Sequence, residues 1–502
     1  MLERELKLYV PTAHHAAVNQ LMALIKNQPP QRLAAHYFDT AERDLARQQV
    51  ALRLRLEGDQ WVQTLKLRAQ DELSVIELNH PRPEPILDLN LYQGTVAETV
   101  FATLNTPLET RYQTEVLRTT AVVNHQGSDI EIAWDIGHIQ AKNHTLPISE
   151  VEFELKSGNM EAIFQLGAQW LAELPLIIEL RSKSERGDAL YENTSADSPP
   201  LNGAAAALAI AGQPYRLGQA PAVSTIALGP LYHQSSQRFL TQIIRNAAFL
   251  AGVDEIQASE SLQADYLTLM RVGMRRLRSC RQLFKPWLRK SEKKHAKLLL
   301  KHYRKFGHWR DKDMLWFELQ PKIIAAGLPA AQKLAPPKRA KRSPRVLAAR
   351  PAFQLLLLDN LKCLVLGQGL KKNATQLENN ARLRQRLEQS WASIQALCTQ
   401  FETLDPVDRH NLRNQIKRLR YNLEALGYDE TTKLYVFLAK AQDHLGGLCD
   451  AYVAQDWYTD QAATTKQKQF ALDWLQQKIN KHEIKCKKTL DSLRAQRLIL
   501  CH

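Results

Sequence analysis

The chain has 502 residues, 44% hydrophobic and 24% charged, a balance that excludes a disordered polymer. That length exceeds one typical hydrophobic core, so two or three domains are expected. The net charge of +15 conceals a division: residues 1–200 hold 18 Lys/Arg against 28 Asp/Glu, and residues 201–502 hold 49 against 24. An acidic first part joined to a basic second part implies two electrostatic tasks, the second being attraction of a polyanion such as nucleic acid, polyphosphate or an anionic membrane surface. All six cysteines lie beyond residue 279 without CxxC spacing, which disfavours a zinc site or disulfide framework and predicts a reducing compartment. The charged N-terminus is unlike a secretory signal, and no apolar run approaches the roughly 20 residues of a bilayer span. The expectation is a cytoplasmic protein without a membrane partner.

Residues 1–10, MLERELKLYV, alternate so that Glu3, Glu5 and Lys7 share one face of an extended segment, with Leu6 and Leu8 on the other. Such charges fit a wet cavity holding a cation and an anion, or a solvated strand face. The spacing of Ala17, Leu21, Leu24 and Ile25 predicts a helix over 14–26, ended by Pro29-Pro30. Strands are predicted at 35–40, 50–58, 61–69 and 73–80, with the clearest turn at Gly58-Asp59. Arg53 and Arg55 share one strand face; Thr64, Lys66 and Arg68 share another. Segments 110–124 and 128–139 form an antiparallel pair turning near Gly127. The strand 148–158 places Glu150, Glu152, Glu154 and Lys156 on one face, opposite Val151, Phe153 and Leu155.

An ordinary sandwich solvates its polar face with mixed groups, whereas these strands carry like charges in blocks. A closed antiparallel barrel with a polar lumen accommodates them better, its outside covered by helices such as 160–173. Carboxylate-rich strands suit divalent cations, and basic strands suit a phosphate chain. Cross-strand salt bridges on a solvated sheet remain the alternative.

The ordered set Glu3-x-Glu5-x-Lys7, YFDT at 37–40, LRLR at 52–55, TLK at 64–66, ISEVEFELKSG at 148–158 and SKSERG at 182–187 resembles the CYTH family, the triphosphate tunnel metalloenzymes. The resemblance covers about 190 residues. It implies an eight-stranded antiparallel tunnel that hydrolyses a triphosphate with Mg²⁺ or Mn²⁺. Glu3, Glu5, Asp135, Glu150, Glu152 and Glu154 would face the metal. Lys7, Arg53, Arg55, Lys66, Arg111, Lys183 and Arg186 would hold phosphate oxygens, with Arg118 a further candidate and Glu77 at a position where the family often has a lumen-facing carboxylate. Glu3, Glu5 and Lys7 would form the catalytic wall. Asp188 departs from the family, which usually has an aromatic residue there; it places an anion near the tunnel wall.

Residues 193–230, rich in Pro, Gly and Ala, read as a connector with a short Ala-rich helix near 203–211, giving a first domain over 1–195 and a linker over 196–230. From residue 231 onward the periodicity is helical. Within 265–279, residues 267–279 align with 409–421 at an offset of 142, so that Arg271, Arg275, Arg276 and Arg278 match Arg413, Lys417, Arg418 and Arg420. Gly307 and Asp311 likewise match Gly446 and Asp450. The duplication predicts two helical bundles, about 231–350 and 351–502. Like charges spaced i, i+4 and i+7 oppose a helix, and an anion would neutralise them.

This repeat resembles the CHAD domain, a helical domain associated with inorganic polyphosphate. The resemblance implies polyphosphate binding by Arg271, Arg275, Arg278, His410, Arg413, Lys417 and Arg420; Thr268 stands where the first repeat would carry the histidine. The basic stretch 335–345 would add to that surface or act as a nucleic-acid arm. Nucleic acid is disfavoured because no aromatics interleave 271–278 or 413–420. The fold class expected is therefore multidomain α+β, a β tunnel followed by an all-α duplicated domain. The function expected is hydrolysis of inorganic tripolyphosphate to pyrophosphate and phosphate. Alternatives are a polyphosphate-binding protein with little turnover, or a CYTH enzyme acting on a nucleotide or thiamine triphosphate.

Overall fold

Alternation of apolar and charged residues sets each strand of the first half with one face toward a lumen and one toward covering helices. In the computed structural model these strands are β1 (Leu2–Tyr9), β2 (Gln31–Asp39), β3 (Val50–Glu57), β4 (Gln60–Arg68), β5 (Ser74–Arg82), β6 (Glu109–His125), β7 (Ser128–Ala141), β8 (His144–Ser157) and the short β9 (Ile177–Ile178). The structure describes residues 2–26, 28–69, 71–211, 213–218, 227–335, 342–371 and 376–498; for 308, 310–313, 376 and 377 it describes the backbone alone. Residues 336–341 of the basic stretch and the side chain of Asp311 thus lie outside the described residues.

The sheet order is β5-β4-β3-β2-β6-β7-β8-β1-β9, and a further β5–β1 pairing closes eight strands into an antiparallel barrel. Closure falls on the opening strand. Its first residues, Leu2–Arg4, pair with β5 through Ile76–Ser74, and Glu5–Tyr9 pair with β8 through Glu154–Glu150. The long β6–β7 hairpin turns on Gln126 and Gly127, both at positive φ (51° and 77°), the twist a two-residue hairpin requires.

Leu6, Leu8, Leu52, Leu54 and Leu65 are buried on the outer face. Each such side chain contributes roughly 1.5–3 kcal/mol. The helix Glu161–Glu173 covers β1 and β8: a Cβ on Gly167 would collide with Leu6, and Trp170 meets Phe153 edge-on at 5.4 Å.

Two compact units divide the chain. The first comprises 1–215, 241–270 and 342–366; the second comprises 216–240, 271–341 and 367–502. In the first unit the added segments are fastened by polar contacts as well as apolar ones. Gln354 accepts a hydrogen bond from the Ile178 amide at 3.0 Å, and Lys362 reaches Glu161 at 2.5 Å. The second unit is helical, including Lys290–Asp313, Pro406–Ala425, Lys433–Gln461 and Thr465–Arg494. Leu412, Ile416, Leu419 and Leu423 form its predicted apolar stripe and are all buried. The five described cysteines are buried and form no disulfide with one another, and no helix among the described residues is long and apolar enough to cross a membrane.

Candidate functional site

Strand register brings the predicted lumen residues together. Lys7 lies opposite Glu152, Glu5 opposite Glu154, Asp135 opposite Glu150, and Lys66 opposite Glu77. Lys66 donates to Glu3 over the intervening strand β5 at 2.6 Å and approaches Glu77 at 3.5 Å. Arg53 lies 3.8 Å from Glu77 and 3.4 Å from the Tyr37 hydroxyl.

On the other wall, Arg118 makes two bonds to Asp135, at 2.7 and 2.6 Å, and one to Glu152 at 2.6 Å. The Lys183 ammonium stands among three carboxylates, 2.8 Å from Asp135, 2.5 Å from Glu150 and 2.7 Å from Glu152. It is carried there by the N-terminus of helix Lys183–Glu192, which Ser182 caps by accepting from the Glu185 amide. Gly187 lets that helix approach: a Cβ there would overlap the Tyr112 ring, which stacks on Tyr37 at 4.8 Å.

The charges are unevenly balanced. Burial would raise the carboxyls of Asp135 and Glu152, yet Arg118 and Lys183 hold both below the usual carboxylate range, Glu152 well below it. Glu5 is the contrary case. Burial, then the Glu152 and Glu3 carboxylates, push its carboxyl up to about 7, with Lys7 only 3.9 Å away in partial compensation. On the basic side, burial and the neighbouring Arg53 lower Arg55, which pairs with Glu57. The Tyr37 phenol is lowered in spite of burial because Arg53, Lys183 and Arg55 surround it.

Asp135, Glu150 and Glu152 offer oxygens within 4.8 Å of one another. An all-carboxylate donor set fits a hard divalent cation. Lys183 shows that a positive group is accommodated there, and Glu5, raised by burial and by the Glu152 and Glu3 carboxylates, is a β1 carboxylate that a further cation would stabilise.

Two expected phosphate-binding residues are already engaged by carboxylates. Arg111 bonds Glu109 at 3.2 Å and also Glu192, and covers the Tyr191 ring at 3.9 Å. Arg186 is buried, bonded to Glu150, with its other terminal nitrogen 3.6 Å from Asp254. Asp188, the departure from the family pattern, is taken by Arg43, the two bonds being 3.1 and 2.5 Å long. Arg118 is more central than the sequence ranks it, and a signal existed: a two-residue turn at Gln126-Gly127 sets Arg118 opposite Asp135. Tyr37 lay within the YFDT motif without an assigned role, and Asp254 carried no sequence signal.

The second unit gathers the duplicated basic residues. Arg271 lies over the Tyr303 ring at 4.6 Å, and Arg275 is hydrogen-bonded to Tyr303 and Tyr421. A Cβ built on Gly307 would lie 3.3 Å from Arg271, and one on Gly446 would lie 3.3 Å from Arg413, so the two repeats set an arginine over a glycine in the same way. Lys417 is pulled down to about 6 by burial and by Arg413 and Arg275, against a weaker opposing effect from Asp450 and Cys449. Arg420 bonds Gln442 and the Tyr435 hydroxyl, each at 3.0 Å. Arg278 and His410 are exposed. Tyr303 comes from another helix and Tyr421 follows the second basic run, so neither interleaves the arginines along the sequence.

Family models match CYTH over residues 1–187 and CHAD over 247–459, the latter including segments 247–270 and 342–366 of the first compact unit. The chain carries a CYTH domain followed by a CHAD domain. An inorganic triphosphatase of Haemophilus influenzae is 32% identical over 157 residues, a match spanning 30% of the CYTH–CHAD chain and 44% of that protein. A CHAD domain from the plant Ricinus communis is 24% identical, with a TM-score of 0.43, covering 57% of this chain and 99% of that one. A Hippeastrum protein described as having a dominant triphosphatase activity is 18% identical, with a TM-score of 0.28, covering 38% and 95%.

Proposed function

We propose that the CYTH barrel is a metal-dependent triphosphatase acting on inorganic tripolyphosphate, releasing pyrophosphate and phosphate. The observation that carries this reading is the lumen itself, where Arg53, Arg55 and Arg118 stand in one closed barrel with the carboxylates of β1 and β8. The curated triphosphatase relative supports it.

Phosphoanhydride cleavage spreads negative charge over the transferred phosphoryl oxygens, so fixed cations placed before the reaction supply much of the catalysis. Arg53, Arg55, Lys66 and Lys7 would hold the phosphate chain and orient it along the lumen. Lys183 would meet the anion with an ammonium that now holds three carboxylates. A bound Mg²⁺ or Mn²⁺ would supply charge neutralisation and water activation. Its holders would be Glu3, Glu5, Glu150, Glu152 and Glu154 with Asp135. The closed strands keep these groups in place before the substrate enters.

In the second unit, Arg271, Arg275, Arg413, Lys417 and Arg420 would bind the longer polyphosphate chain, with Arg278 and His410 at its margin. The crowding that lowers Lys417 favours an anionic ligand.

The test is phosphate release from tripolyphosphate, ATP and thiamine triphosphate with Mg²⁺, for the wild type and Glu5→Gln. Tripolyphosphate should be cleaved fastest, and the variant should lose about 100-fold or more. Faster cleavage of ATP or thiamine triphosphate would remove the inorganic substrate; full activity in the variant would remove the site.

A further inference from the structure

The turn Gly252–Glu255 lies beyond the CYTH match and within the CHAD match, yet it is part of the barrel's own compact unit. Its backbone is unusual. Gly252, Asp254 and Glu255 have φ of 101°, 54° and 54°, so two successive non-glycine residues are left-handed. The side chains show what holds them there. Asp254 is fully buried, receiving Arg181 at 2.8 Å and facing Arg186 at 3.6 Å. Glu255 accepts from Thr12, amide and hydroxyl at 3.0 and 2.9 Å, and from Tyr9 at the end of β1 at 3.3 Å.

A buried carboxylate on a strained turn points to a role beyond packing. Arg186 joins it to the tunnel. One terminal nitrogen faces Asp254 and the other bonds Glu150, which in turn holds Lys183 beside Asp135 and Glu152. Arg181 is already shared with Glu179, so Asp254 is the carboxylate that offsets the surplus positive charge of the two arginines.

We propose that Asp254 is a positioning residue that sets the charge balance of the tunnel through Arg186, so the triphosphate site is completed by a carboxylate outside the CYTH sequence. This rests on the tunnel reading given above. Without the Asp254 charge, Arg186 draws harder on Glu150 and the lumen becomes more positive. Cation binding then weakens and anion binding strengthens. A purely structural role would weaken both.

The experiment uses the full chain with Asp254→Asn, a substitution of the same shape whose residue type tolerates the left-handed backbone. Calorimetric titration with Mn²⁺ should show affinity weakened about fivefold, while the KM for tripolyphosphate at saturating metal falls. Glu255→Gln, on the same turn but away from the arginines, should move neither. Unchanged Mn²⁺ affinity in Asp254→Asn, or a loss of both ligands together, overturns the inference. If Asp254→Asn does not fold, Arg181→Gln removes a positive charge from the same cluster and should tighten Mn²⁺; weaker or equal binding overturns it. A wild type that takes up no Mn²⁺ overturns it as well. The titration needs no turnover, so a protein that binds Mn²⁺ as described yet leaves tripolyphosphate intact defeats the triphosphatase reading alone.

Discussion

Lys66 and Glu3 meet over the intervening strand β5, the ammonium donating to the carboxylate at 2.6 Å. One comes from the fourth strand and the other from the first, and β1 meets β5 at Glu3 itself. The side chain of Glu3 is 7% exposed and that of Lys66 27%. Removing Lys66 strands a nearly buried charge, so Lys66→Met is expected to lower stability by about 1–2 kcal/mol, discounted from a fully buried pair because Lys66 is partly wet. Adding Glu3→Gln should recover most of that loss. A urea-unfolding double-mutant cycle reads the coupling directly.

Arg55 is expected to matter for substrate more than for the fold. Burial and Arg53 both disfavour its charge, and Glu57 offsets them only in part. An entering phosphate chain relieves this crowding. Arg55→Gln should raise the KM for tripolyphosphate about tenfold, the size of one charge-assisted hydrogen bond, with unfolding temperature unchanged or slightly higher. A large loss of stability with unchanged KM would assign Arg55 to structure instead.

Gly187→Ala tests how the helix Lys183–Glu192 is seated. The added methyl would overlap Tyr112, which is stacked on Tyr37. Over-packing of this kind costs about 1–3 kcal/mol. Thermal unfolding should show the loss, and Tyr112→Leu in the same chain should restore part of it by vacating the ring's space.

Lys417 gives the second unit a pH signature. Its folded value is about 6 against 10.5 for an ordinary lysine, so between those values the folded state binds fewer protons than the unfolded chain. The resulting cost is complete below about pH 6 and is relieved as pH rises toward 10.5. Stability should therefore climb with pH across this window, and Lys417→Gln should flatten the climb and raise the unfolding temperature at neutral pH. Polyphosphate binding should take up a proton, and affinity should fall between pH 6 and 8. Calorimetry in buffers of different ionisation heat measures that uptake.

How the chain folds locally was legible because strand alternation and helical periodicity are short-range properties. Glu3, Glu5 and Lys7 announce a charged strand face, and the β6–β7 pairing follows from one turn at Gly127. The blocks of like charge at Arg53 and Arg55 and at Glu150, Glu152 and Glu154 fitted a polar lumen better than an open sheet, and barrel closure decided between the two. The duplicated arginines of the second half were equally visible, being a repeat in one dimension.

Partners across the fold were not legible. Nothing in the sequence says that Lys183 settles among Asp135, Glu150 and Glu152, that Arg111 turns to Glu192, or that Arg43 claims Asp188. Those choices depend on barrel closure, which brings residues distant in the chain within a few ångströms and lets burial and competing charges decide among several possible ion pairs. Asp254 shows this most clearly. By sequence it is an ordinary acid beyond the tunnel domain; a left-handed turn buries it against Arg181 and behind Arg186. The sequence by itself determined which charges the protein carries and on which strand or helix faces they stand. Only the tertiary structure decided which of them neutralise one another, because that depends on distance and desolvation rather than on order along the chain.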